Sequence, residues 1–154
     1  MTFHIIGRED EQAILKGLYH SKEPEFVAVY GRRRVGKTFL IKQFFNKKPG
    51  YFFNVTGIQN GELGEQIQRF IIEVSRVFYG GASLQTPTNW FDTFDSLTHA
   101  INQFVPQNQK AILFFDELPW MVTHRSKLLS ALEYFWNQYW STDPRIKLII
   151  CGSS

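Results

Sequence analysis

The stretch FVAVYGRRRVGKTFL, residues 26–40, decides how the chain folds. Its first five residues form a short, continuously apolar run that ends at Gly31, which reads as a buried strand. From Lys37 the sequence runs KTFLIKQFFN, a helix over 37–46 that Pro49-Gly50 stops. Between strand and helix lies GRRRVGKT, residues 31–38, which fits GxxxxGK[ST] at every fixed position. The spacing has a physical cause. Gly31 and Gly36 allow backbone conformations that a Cβ would forbid. A loop wrapped in this way turns several N–H groups toward one anion. The helix that starts near Lys37 adds its positive end. Lys37 reaches the outer phosphates of a nucleotide, and the Thr38 hydroxyl is placed for Mg²⁺. Arg34, Val35 and Phe39 complete the candidate nucleotide contacts of this loop. The run Arg32-Arg33-Arg34 raises the local positive potential whether or not it touches phosphate. A grip on nucleic acid is its other reading.

Downstream, apolar runs and helical patterns alternate. YFFNV at 51–55 is a second strand. Leu63, Ile67, Phe70, Ile71, Val74 and Phe78 recur at helical spacing over 62–79, closed by Gly80-Gly81. Phe91, Phe94, Leu97, Ile101 and Phe104 mark another helix, with Thr88 or Asn89 as N-cap and Pro106 beyond it. AILFF at 111–115 is a third strand. Leu128, Leu129, Leu132, Phe135, Trp136, Tyr139 and Trp140 form a wide helical stripe expected to be core. IKLIIC at 146–151 is the fourth strand. Short, apolar, β-branched strands alternating with helices predict a parallel sheet covered on both faces, with right-handed crossovers.

Two further strand ends carry polar residues. AILFF runs into Asp116-Glu117, at the strand end where such sheets bind ligands. There Asp116 would hold Mg²⁺ and Glu117 would orient an attacking water. IKLIIC runs into Gly152-Ser153-Ser154, where Ser153 is the first choice for a residue that senses the terminal phosphate. No DxxG follows a strand, and Asn46-Lys47-Lys48-Pro49 lacks the Asp that would read guanine, which disfavours GTP. Cys151 reads as a small buried residue, and His4, His20, His99 and His124 show no metal-ligand spacing.

Composition sets the outer limits. The 154 residues suffice for one domain with a real core. A hydrophobic share of 44 % with 20 % charged residues excludes a disordered chain. Fifteen phenylalanines read first as core, and otherwise as a surface for a further domain. The net charge of +3 does not by itself call for nucleic acid. A single cysteine fits a reducing compartment, and neither a membrane span nor a leader is visible, so the expected location is cytoplasmic and no membrane partner is expected.

Taken together, IIGREDE (5–11), GRRRVGKT, ILFFDELPW (112–120) and IICGSS (149–154) resemble the prokaryotic P-loop ATPases of the AAA-like and STAND division. Within it they look most like the archaeal-type ATPase family. The motifs come in the family's order over nearly the whole chain, and Trp90 with Phe94 and Leu97 fits its intervening helix. The resemblance implies a three-layer α/β/α P-loop NTPase fold with a parallel sheet. Counting the phosphate-loop strand as the first, its strand order is 2-3-4-1. It also implies that Ile6, Gly7 and Arg8 lie near adenine. Lys37, Asp116 and Glu117 become the phosphate, metal and catalytic residues, and Ser153 the polar residue after the fourth strand. ATP and Mg²⁺ are the implied ligands. Family members continue into a fifth strand, a helical lid and usually a C-terminal module. Residues 1–154 are therefore expected to be an ATPase core truncated before that strand and lid. Further partners on this reading are a second copy of the chain or a C-terminal effector module, with nucleic acid reached through the latter. The expected function is Mg-dependent ATP hydrolysis coupled to conformational change. The alternative is a nucleotide-gated switch with negligible turnover.

Overall fold

The computed structural model describes residues 2–5, 10–31 and 36–153. Five strands form one parallel sheet: β1 Thr2–Ile5, β2 Glu25–Gly31, β3 Tyr51–Thr56, β4 Ala111–Asp116 and β5 Ile146–Ser153. Their order is β1-β2-β5-β4-β3. The four strands expected from sequence stand in the expected order, 2-3-4-1 being β3-β4-β5-β2. The addition is β1, which pairs with β2 from Thr2↔Val27 to Ile5↔Tyr30.

Among the described residues six α-helices accompany the sheet: α1 Asp10–His20, α2 Lys37–Asn46, α3 Leu63–Phe78, α4 Trp90–Phe104, α5 Leu118–Met121 and α6 Leu128–Gln138. Strand side chains alternate between two faces. Val27, Val29, Ile112, Phe114, Ile149 and Cys151 pack with Leu15 and Leu18 of α1 and Ile41 and Phe45 of α2. Phe53, Leu113, Phe115 and Leu148 pack with α3, α4 and α6. Both faces are therefore buried, which is why the strands read as unbroken apolar runs rather than alternating ones. Every residue of β4 is buried.

The larger core is aromatic. Phe94 stacks on Phe115, with ring centroids 6.0 Å apart and planes 3° from parallel. It also meets Phe70 and Trp140 edge-on. Six of the phenylalanines rank among the largest fully buried side chains, whereas Phe39 and Phe91 are exposed. The 128–140 stripe is only partly core. Leu128, Leu132, Phe135 and Trp140 are buried, but Leu129 and Tyr139 face outward. The stripe is wider than the one face α6 can present, and its last member, Trp140, lies in a separate 3₁₀ turn, Trp140–Thr142.

Polar contacts fix the ends of these elements. The Asn89 side chain accepts from Asp92 N–H (2.8 Å) and caps α4. At the other end of α4, the buried Arg145 guanidinium donates to the carbonyl of Val105 (2.6 Å) and to Asn102 Oδ1 (3.1 Å). It is also ion-paired with Asp143 at 2.7 Å. A cation thus satisfies carbonyls left over at the helix C-terminus, as the helix dipole favours. At the end of β5 remote from Ser153, the fully buried Lys147 donates from Nζ to the carbonyls of Ser21 (2.8 Å) and Glu23. Burial first, and then the neighbouring Lys110 charge, push its pKa down to about 8. Among the described residues no helix is long and apolar enough to cross a membrane.

Candidate functional site

The sheet collects the candidate residues at one end. Tyr30 pairs with Gly152 and Gly31 with Ser153, so the last residues of β2 and β5 lie side by side. On the far side of β5, β4 ends at Asp116. All three strands are parallel, so their carboxyl ends converge, as the alternating sequence pattern requires.

Gly36 is the N-cap of α2 and lies in the left-handed region, with φ 83° and ψ 11°. No atom stands within 4 Å of where its Cβ would be. The glycine is required by backbone conformation, then, and not by lack of space. The amide of Leu40 closes the first helical bond, to Gly36 O (2.9 Å). The amides ahead of it belong to the open, positive end of α2.

Two side chains of the first turn of α2 reach across the sheet. Lys37, only 4 % exposed, donates from Nζ to the Gly152 carbonyl at 2.5 Å. Thr38 donates from Oγ1 to Asp116 Oδ2 at 2.8 Å. Asp116 is 3 % exposed, and its other carboxylate oxygen accepts the Glu117 amide at 3.0 Å. Helix α2 is therefore joined directly to the ends of both β4 and β5. Phe39, by contrast, is 68 % exposed, so its ring points away from the sheet. Glu117 is half-buried and sits in the left-handed region, with φ 52° and ψ 47°, at the N-cap of α5. Buried Cys151 lies beneath. Its thiol is pushed up to about 12, by burial first and by the Asp116 carboxylate next.

Of the residues expected from sequence, the structure brings together Gly31, Gly36, Lys37, Thr38, Asp116, Glu117 and the backbone of Ser153. Ile6, Gly7, Arg8, Arg34 and Val35, with Arg32 and Arg33, lie outside the described residues. Sequence reasoning missed Gly57 and Gln66, which brace the Glu117 turn. A signal for Gln66 was present. It is a polar residue inside the apolar stripe of α3, where burial demands hydrogen-bond partners.

Residues 5–154 match the model of an ATPase domain found predominantly in Archaea. The chain belongs to that family. Among its relatives is an uncharacterized protein of Methanocaldococcus jannaschii, 28 % identical over 150 residues. That alignment covers 97 % of this chain and 29 % of the relative. An uncharacterized ATP-binding protein of the same organism is 40 % identical over 43 residues, 28 % of this chain and 73 % of that protein. The Walker-type ATPase PABY2304 of Pyrococcus abyssi shares the fold, with a TM-score of 0.54 and 24 % identity, over 96 % of this chain and 45 % of that one. So does the ORC2 protein of Aeropyrum pernix, solved in ADPNP and ADP complexes, with a TM-score of 0.59 and 16 % identity, over 98 % and 43 %. The chain thus spans under half the length of these solved proteins and under a third of the longer relative.

Proposed function

We propose that residues 1–154 form the ATP-binding core of a Mg-dependent ATPase whose turnover drives a conformational change. The observation that carries this reading is the pair of contacts from the first turn of α2, Lys37 to Gly152 O and Thr38 to Asp116. They place a cation, a hydroxyl and a buried carboxylate around the N-terminus of one helix. That is the equipment for a polyphosphate and its metal ion.

The donor set suits Mg²⁺. Thr38 Oγ1 and Asp116 Oδ2 are hard oxygen donors within 2.8 Å of each other. Magnesium is bound in such sites through one or two protein oxygens, with water and phosphate supplying the rest. When bound it neutralises charge on the phosphate oxygens. Thr38 and Asp116 would hold it.

The protein's own groups divide the remaining work. Gly31 and Gly36 let the loop amides face the phosphates, and Lys37 exchanges the Gly152 carbonyl for phosphate oxygens. Glu117 orients a water and draws on its proton as the water oxygen attacks the γ-phosphorus. The bond to the β–γ bridging oxygen breaks, leaving ADP and phosphate. Catalysis of this kind rests on positioning and charge stabilisation. Ser153, next to Gly152 and paired with Gly31, would register the γ-phosphate. Ile6, Gly7 and Arg8 would bound the adenine, and Arg34, Val35 and Phe39 the loop's outer side. Coupling follows from the same contact. A Lys37 that moves to phosphate releases the end of β5.

The test uses the full-length protein. Lys37→Ala should lose ATP binding, measured by calorimetry. Glu117→Gln should keep binding and stop phosphate release. Normal turnover by Glu117→Gln would remove Glu117 from its role. Undiminished ATP affinity in Lys37→Ala would remove the site.

A further inference from the structure

Glu117 holds a backbone conformation that a non-glycine residue adopts rarely and at a cost. Such a residue stays in place only where its surroundings over-determine it, and at functional sites that restraint belongs to the mechanism. The restraints on Glu117 can be traced bond by bond. Gly57, the residue after β3, donates its amide to Asp116 O at 2.9 Å. A Cβ on Gly57 would stand 2.5 Å from Glu117 O, so only glycine allows the two backbones to approach this closely. Glu117 O in turn accepts Trp120 N–H at 3.0 Å, closing the single turn of α5.

The free end of that turn is held by Gln66 of α3. This amide is 2 % exposed and bonded at both of its ends. Nε2 donates to Trp120 O at 3.0 Å and to Ile58 O at 2.8 Å, while Oε1 accepts Ile58 N–H at 2.9 Å. One side chain thus ties the β3–α3 turn to α5. The peptide of Glu117 lies between the two points where those segments meet, Gly57 and Trp120.

We infer that Gln66 is the positioning residue for Glu117. By tying α5 to the turn after β3, it holds Glu117 in its left-handed conformation at the end of β4. Gly57 is the other jaw of this clamp. Both act through the backbone of Glu117. The inference rests on the reading of Glu117 as the residue that orients water. It adds what holds that residue's backbone in place.

The experiment compares full-length wild type with Gln66→Met, which keeps the volume and loses the amide, and with Gly57→Ala, which strikes the clamp from the other side. Three readouts are taken: affinity for a fluorescent ATP analogue with Mg²⁺, steady-state phosphate release, and amide hydrogen exchange. Both variants should bind the analogue within about twofold of wild type and lose at least tenfold in kcat with KM unchanged. Exchange should accelerate at 117–121 and 57–61, while β4 and β5 keep their protection. Unchanged exchange at 117–121 in both variants overturns the inference. So does a general loss of protection, or a loss of affinity as large as that of kcat, since either assigns Gln66 to folding alone. A wild type that binds ATP and releases no phosphate defeats the hydrolysis reading instead. Exchange confined to the two clamped segments still supports the clamp in that case.

Discussion

Treating the native protein with iodoacetamide at pH 8 should leave Cys151 almost unlabelled. The thiolate is the nucleophile, so the rate follows its population. An unperturbed thiol with a pKa of 9.0 is roughly one-tenth ionised at pH 8. With its pKa pushed up to about 12, the native thiol is ionised in about one molecule in ten thousand. The expected suppression is about a thousandfold before access is counted, and the buried sulfur adds to it. The assay follows mass gain on the peptide containing Cys151, in buffer and in denaturant, at matched pH and reagent. Native labelling within tenfold of the denatured rate would refute the account, because neither burial nor the Asp116 charge could then be acting on the sulfur. A linked effect has a definite sign. The unfolded thiol loses its proton from about pH 9 and the folded one only near 12, so the folded state binds more protons in between. The contribution of Cys151 to stability is whole below pH 9 and is lost as pH rises toward 12.

Lys147 should show the opposite sign. Its folded pKa is lowered from 10.5 to about 8, so between those values the unfolded state binds more protons and stability rises with pH. Denaturant melts of wild type and Lys147→Met should therefore diverge in favour of wild type from pH 8 to 10.5, and parallel curves would contradict it. Phe94→Ala empties a fully buried site among Phe70, Phe115 and Trp140 and should cost about 3–5 kcal/mol in a urea melt. Asn89→Ala removes the acceptor for Asp92 N–H and should cost about 1 kcal/mol in the same measurement, with ATP affinity unchanged.

How far the sequence reaches can be seen element by element. Strands β2 to β5 were legible because a strand buried on both faces leaves an unbroken apolar run, and Gly and Pro punctuate the helices between. Gly36, Lys37 and Thr38 were legible because loop, helix start and spacing are all local. Strand β1 was not. Four residues carry too little pattern, and they become a strand only through the ladder that β2 offers them. The short helix α5 follows Asp116-Glu117 at once and starts at the left-handed Glu117, whose neighbours Asp116 and Trp120 are bonded to Gly57 after β3 and to Gln66 of α3, residues distant in sequence. Leu129 and Tyr139 share the helical period of the core residues around them. Periodicity gives the direction of a face but not its width.

Lys37 and Thr38 are each engaged inside the protein, with Gly152 O and Asp116. On the proposed reading the fold competes with its own ligand, and binding would be an exchange of partners rather than a capture. A ligand gains only what its contacts exceed those they replace. A single phosphate ion that displaced Lys37 from Gly152 O would have little left to offer. A chain of phosphates with Mg²⁺ would, on the same reading, engage the lysine and the hydroxyl together. Length and charge of the ligand are read in this way by subtraction, and inorganic phosphate should bind far more weakly than ATP with Mg²⁺ in calorimetry.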